Sequence, residues 1–163
     1  MGNETSAHER AATLLGAHPD YRVLRALPSV SAYHCAPPQG PVRTAAVIDV
    51  ETVGLDPDHP IIDLAIQRIA FDARGVIVQV GQPRQWFEDP GNPIPAEIAR
   101  LTGITDADVA GTRIYGDEAS KLIASTAVAI AHNAAFVASR VERRLPAIAG
   151  HVSSPHRVVR VDS

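Results

Sequence analysis

The segment Ala45-Ala46-Val47-Ile48-Asp49-Val50-Glu51 constrains this chain more than any other. The short apolar run from Ala45 to Val50, bounded by polar residues, predicts a buried strand, which Gly54 and Pro57 end. Within it, Asp49 and Glu51 lie two apart, and in a strand that spacing directs both carboxylates to one face. Two acids on one face of a strand are costly, because burial penalises unpaired charge and like charges raise each other's pKa. A divalent cation between them removes both penalties, since Mg²⁺ takes one or two carboxylates plus waters and phosphate oxygens. The same spacing also fits a strand end at which both acids are solvated.

The surrounding periodicities predict a mixed α/β fold. Residues 7–16 read as a helix with Ser6 as N-cap and Gly16 at its end. Apolar residues then recur at Val23, Leu24 and Leu27, and Cys35-Ala36-Pro37-Pro38-Gln39-Gly40-Pro41 has the composition of a linker. This divides the chain into a helical N-terminal arm with its linker, residues 1–40, and a main domain, residues 41–163. Ile61–Phe71 and Val76–Val80 read as two more strands around an Asp72-Ala73-Arg74-Gly75 turn, giving an antiparallel meander. Helices follow from Ala96 after Pro95, stopped by Gly103, and over 117–123, with acids in the first turn. A strand over 127–131 and a helix over 134–145, capped by Asn133 and closed by Pro146, complete the pattern. The tail from Ala147 has no clear period.

Charge and cysteine content narrow the function. Residues 45–118 carry five Arg and thirteen acids, net −8, a poor surface for nucleic acid unless divalent cations neutralise part of it. The basic residues are fourteen Arg and one Lys, a skew that weakens any argument from a single Arg to a phosphate site. No apolar run approaches the roughly 20 residues a membrane helix needs, and no signal-peptide pattern opens the chain. The single Cys35 allows no intrachain disulfide. These features read as a cytoplasmic protein without a membrane partner.

A family resemblance rests on an ordered set of motifs. Asp49-Val-Glu-Thr-Val-Gly-Leu55 resembles the first motif of the DnaQ-like (DEDD) 3′–5′ exonucleases, the group that includes the proofreading epsilon subunit of bacterial DNA polymerase III. Ile61-Ile62-Asp63-Leu64-Ala65 resembles that family's second strand, and residues 94–108 the helix bordering its nucleotide pocket. Ala131-His132-Asn133-Ala134-Ala135-Phe136 resembles the start of its second motif. The resemblance runs from Thr44 to Pro146 and implies a ribonuclease-H-like exonuclease fold. It also implies two-metal hydrolysis of phosphodiester bonds with Mg²⁺ or Mn²⁺. Asp49 and Glu51 become the metal-binding, catalytic acids. Thr52, Leu55, Thr102, Asn133 and Phe136 become substrate-binding residues, and the partner becomes a nucleic acid with a 3′ end, DNA rather than RNA.

The resemblance also marks departures. The second motif normally continues with Asp after Phe, and here Val137 follows, so one ligand of the shared metal site is missing. Val53 stands where Thr is usual. The third motif pairs His or Tyr with Asp. His156 and Asp162 are six apart but too early in the chain, so residues 153–163 read as a linker and the fold as C-terminally incomplete. This implies a weak or incomplete metal site, impaired hydrolysis, and an uncovered sheet face favouring self-association or a partner chain. The alternative is a non-catalytic, degenerate exonuclease-like domain that retains nucleotide or nucleic-acid binding.

Other residues read more plainly. Asp63, on the neighbouring strand, reads either as an acid facing the site or as a supporting or solvated acid, and His132 either as a phosphate contact or as an ordinary strand-end histidine. Arg140, Arg143 and Arg144 are expected on a solvated helix face rather than on a DNA backbone. The remaining histidines are too scattered for zinc. Cys35 lacks a basic neighbourhood that would make it a nucleophile, and Trp86-Phe87 reads as a core or sheet-edge cluster.

Overall fold

The computed structural model describes residues 6–24, 30 and 35–153, and the backbone of residues 158–161. The chain forms two compact units, residues 1–32 and 33–163. In the first, helix α1 (Ala7–Gly16) begins at Ser6, whose hydroxyl accepts the Glu9 N–H. None of its residues is buried, and Leu14 and Leu15 are exposed. Of the apolar residues expected over 21–27, Val23 is half-buried, Leu24 is exposed, and Leu27 lies outside the described residues.

The second unit is built on one mixed sheet. Its strands are β1 (Arg43–Thr52), β2 (Ile61–Phe71), β3 (Ile77–Val80), β4 (Arg84–Phe87), β5 (Val128–His132) and β6 (Val158–Val161). The order is β3-β2-β1-β5-β6, with β4 also paired to β2. β2 runs antiparallel to β1, β3 and β4, whereas β5 is parallel to β1 and β6 is parallel to β5. The expected meander is present, and Asp72 makes its turn. The Asp72 carboxylate accepts the Arg74 and Val76 N–H groups, and Gly75 takes φ 79°, a region most residues avoid. β3 and β4 are successive stretches of one edge, separated where Gly81 donates its N–H to Arg68 O.

Two expectations are corrected. Residues 158–161, read as part of a linker, form β6 beside β5. A lone four-residue strand carries too little pattern to be told from coil, and its pairing partner supplies the order. Asn133 stands at the start of α5 (Ala134–Arg144), but its side chain makes no capping bond. It instead adopts a left-handed conformation, φ 47°, at the turn from β5 into the helix, a region Asn tolerates better than most residues.

Helices α4 (Gly116–Ala124) and α5 cover one face of the sheet. Ala46, Ile48 and Val50 of β1, Leu64 and Ile66 of β2, and Ala129 and Ala131 of β5 pack there against Ile123, Val137, Ala138 and Val141. Each buried Ile, Leu or Val side chain of this kind contributes about 1.5–3 kcal/mol. A second cluster joins Ile62 to Ile94, Ile104 and Val109, seating α2 (Ala96–Thr102) and α3 (Asp106–Val109) near the end of β1. Among the described residues no helix is long and apolar enough to cross a membrane.

Candidate active site

The side chains of β1 alternate, so burying Ile48 and Val50 on the helix side turns Val47, Asp49 and Glu51 to the other face. Asp49 is exposed and Glu51 half-buried. Across the antiparallel register, Glu51 lies opposite Asp63, and Asp49 lies opposite Ala65. Asp63 Oδ2 accepts the Gln85 Nε2 amide at 2.8 Å, while Oδ1 is buried without a hydrogen-bond partner.

The electrostatics follow from this crowding. Burial pushes the Glu51 carboxyl above its usual range, and Asp49 and Asp63 add to the shift by like-charge repulsion. Asp63 is also raised, chiefly by burial and further by Asp49, against the lowering effect of the Gln85 hydrogen bond. Asp63 is therefore part of the same electrostatic group as the two expected acids, in line with the site-facing alternative that the sequence left open.

This donor set suits a hard divalent cation, because all of its atoms are carboxylate oxygens and the charged forms of Glu51 and Asp63 are disfavoured without one. Among the described residues no three His, Cys, Asp or Glu side chains are grouped so as to hold a metal ion by themselves. The carboxylates fit a cation whose remaining positions are filled by water or phosphate oxygens.

Beside Glu51 lies a groove of about 860 Å³. Four of the expected substrate-binding residues line it, namely Thr52, Leu55, Thr102 and Phe136. Asn133 is exposed and does not line it. The two threonine hydroxyls are already engaged as donors: Thr52 Oγ1 donates to Gly54 O at 2.7 Å, and Thr102 Oγ1 donates to Ile98 O at 2.9 Å. They shape the walls, while Leu55 and Leu101, 85% and 81% exposed, offer apolar surface at the mouth. Sequence reasoning missed His59, Asn92 and Glu97, which also line the groove. The only signal for Asn92 was the turn-forming run Pro90-Gly91-Asn92-Pro93.

The helix behind the groove differs from expectation. Arg140 is buried, with one guanidinium nitrogen donating to Leu55 O at 2.7 Å and Asp56 O at 2.8 Å. Arg143 pairs with Asp58. Arg144 Nε donates to both Glu88 oxygens and its Nη2 to Ile114 O. Arg140 and Arg144 depart from a solvated face, because they tie α5 to the loop after β1 and to the end of β4, whereas Arg143 is exposed as expected and pairs with an exposed acid. Val137 is 3% exposed and packs in the main core. Trp86 is buried in that same core, and Phe87 packs on the second cluster, as expected of a core or sheet-edge pair. His132 is exposed at the end of β5, and Cys35 is exposed. His156 and Asp162 lie outside the described residues.

Comparison with known proteins agrees with this architecture. Residues 46–158 match the family model described as Exonuclease (RNase_T). A DNA polymerase III subunit epsilon-like protein from Rhodobacter capsulatus is 32% identical over 116 residues, covering 69% of this chain and 16% of that protein. E. coli exonuclease I in complex with a dT13 oligonucleotide superposes with a TM-score of 0.53 at 19% identity, covering 74% of this chain and 28% of that one. An apo structure of exonuclease I gives a TM-score of 0.52 at 18% identity, over 76% of this chain and 29% of that one. The chain thus spans less than a third of the length of these relatives, and the likeness to exonuclease I is one of fold. By the extent of the family match and the order of its motifs, the chain belongs to the RNase_T exonuclease family, in its DnaQ-like, ribonuclease-H-like form.

Proposed function

We propose that residues 41–163 are a 3′–5′ exonuclease domain that hydrolyses phosphodiester bonds of nucleic acid, with residues 1–40 as a separate arm. The observation that carries this reading is the placement of Asp49 and Glu51 on one open face of β1, with Asp63 opposite Glu51, beside a groove walled by Thr52, Leu55, Thr102 and Phe136. DNA is the favoured substrate, since a fold neighbour is seen with a dT13 oligonucleotide.

Exonucleases of this family use divalent metal ions. Asp49 and Glu51 would hold Mg²⁺ or Mn²⁺, with Asp63 supporting them. When bound, the cation supplies positive charge to the scissile phosphate and lowers the pKa of water. The chain's own residues do the rest. The carboxylates hold negative charge at the end of β1, where it disfavours phosphate unless a cation is present, and so couple substrate binding to metal. Leu55 and Phe136 offer apolar walls to a terminal sugar or base. Val137, inside the core, brings no oxygen to the site, so the metal site is weak and depends on the substrate phosphate for completion.

The test is degradation of 3′-protected and unprotected, 5′-labelled single-stranded DNA with Mn²⁺, beside Asp49→Ala. Stepwise loss from the free 3′ end that disappears in Asp49→Ala supports the reading. Degradation that persists in Asp49→Ala, or no degradation at any Mn²⁺ concentration, overturns it.

A further inference from the structure

The buried guanidinium of Arg140 joins two walls of the groove without lining it. From its place on α5 it reaches the loop after β1, 84 and 85 residues away in sequence, and donates to the successive carbonyls of Asp56 and Leu55. Its carbon centre lies 4.4 Å from the centroid of the Phe136 ring, one helical turn earlier on the same face. Leu55 and Phe136 both line the groove beside Glu51. One side chain therefore fixes a loop wall and an aromatic wall together.

The chemistry of the position favours Arg over any substitute. A buried cation is tolerated only when hydrogen-bonded, and among the described residues Arg140 has no carboxylate within ion-pair distance. Its Nη2 donates to the two loop carbonyls, and its Nη1 makes a long contact with Ser139 Oγ at 3.4 Å. The ring face meets the rest of its charge, and its Nε is buried without a hydrogen-bond partner. A planar fork can stack on Phe136 while its edge donates to the loop, which a Lys ammonium on a flexible stem cannot do at once. The loop has few other ties. Among them are His59 N–H to Asp56 O and the exposed ion pair of Arg143 with Asp58, and exposed pairs of that kind hold little.

We infer that Arg140 is a positioning residue: by clamping the Leu55–Asp56 loop and the Phe136 ring, it sets the width of the groove that receives the terminal nucleotide. This rests on the exonuclease reading above.

The test compares wild type, Arg140→Lys, Arg140→Leu and Arg143→Ala. Fluorescence anisotropy with labelled oligothymidylate and Mg²⁺ gives affinity, and amide hydrogen exchange follows residues 53–60 against β1 and β2. Arg140→Leu should weaken oligonucleotide binding about tenfold, the effect of losing roughly one charged hydrogen bond, and speed exchange in the loop while β1 and β2 keep their protection. In any degradation assay the loss should fall on KM rather than kcat. Arg140→Lys should recover only part of the affinity, and Arg143→Ala should stay near wild type. If Arg140→Leu does not fold, Arg140→Lys carries the comparison, and a wild-type affinity for it overturns the inference. Loop exchange that rises with no change in affinity also overturns it, while leaving the exonuclease reading intact. A wild-type protein that binds no oligonucleotide sinks the exonuclease reading, and this inference with it.

Discussion

Glu51 and Asp63 oppose each other across β1 and β2, at the last regular pair before the register shifts between Glu51 and Thr52. Both carboxyls are raised above their usual range, burial being the larger cause and carboxylate repulsion the smaller. A raised carboxyl pKa means that the folded chain holds the proton more tightly than the unfolded one. The pair is harmless below the usual carboxylate range and becomes destabilising as pH rises through that range toward the raised values. Asp63→Asn should therefore raise the melting temperature near neutral pH and have no effect at low pH. Both groups are partly exposed, so screening keeps the gain below about 1 kcal/mol. Thermal melts of the two proteins across a pH series check this, and a gain that is larger in acid would refute it.

A divalent cation should relieve the same repulsion. Mn²⁺ or Mg²⁺ should raise the melting temperature of the wild type at neutral pH, by an amount that grows with the logarithm of concentration once the site fills. Asp49→Asn should remove most of this rise. Calorimetry on the free protein should show weak binding that tightens when a nucleoside monophosphate is added. Two tight Mg²⁺ sites without nucleotide would contradict it.

Val137 packs among Ala134, Ala138 and Val141 in the main core, at the position where the family's second motif carries Asp. Val137→Ala should cost about 2 kcal/mol through the cavity it leaves. Val137→Asp should cost about 3 kcal/mol or more, because it buries a carboxylate without a partner. Denaturant unfolding with and without Mn²⁺ distinguishes the outcomes. If Mn²⁺ restores the stability of Val137→Asp and raises its nuclease activity, the carboxylate has reached the metal site, and the assignment of this position to the core alone is wrong.

The parts of the fold that were legible in the sequence are those whose signal is local. β2 spans Ile61–Phe71 as expected, because eleven residues rich in Ile end at a strong Asp-Ala-Arg-Gly turn. Gly103 stops α2 at φ 76°, a conformation glycine adopts at low cost. The same-face placement of Asp49 and Glu51 follows from strand geometry alone. What stayed hidden depends on register and on distant partners. β4, α3 and β6 are four residues each, too short for a period to be read. Asp63 joins the acidic group only because the antiparallel register sets it opposite Glu51. Arg140 looked like one of three basic residues on a polar helix face, since its role comes from a loop more than eighty residues away.

Glu142 offers a last test, on the chain segment that sequence alone left without structure. Its Oε1 accepts the Val152 and Ser153 N–H groups, each at 2.7 Å, and its Oε2 accepts the Ser153 hydroxyl at 3.0 Å. Burial alone would raise its pKa, but the bonds from Ser153, Gly150 and Val152 outweigh it and hold the carboxyl below its usual range. Its contribution is therefore present above the usual carboxylate range and is lost as pH falls through the depressed value. Glu142 thus ties α5 to the residues leading toward β6, the strand that extends the sheet beyond β5. Glu142→Gln keeps the shape but weakens these charge-assisted bonds. The global cost should be under about 1 kcal/mol, because much of the group meets solvent. The local effect should be larger. Amide exchange should speed at Val152, Ser153 and residues 158–161, while β1 and the buried turns of α5 keep their protection. Acidifying the wild type should produce the same local pattern, and acidifying Glu142→Gln should add little to it. Unchanged exchange over residues 152–161 in the variant would show that β6 is held by its pairing with β5 alone.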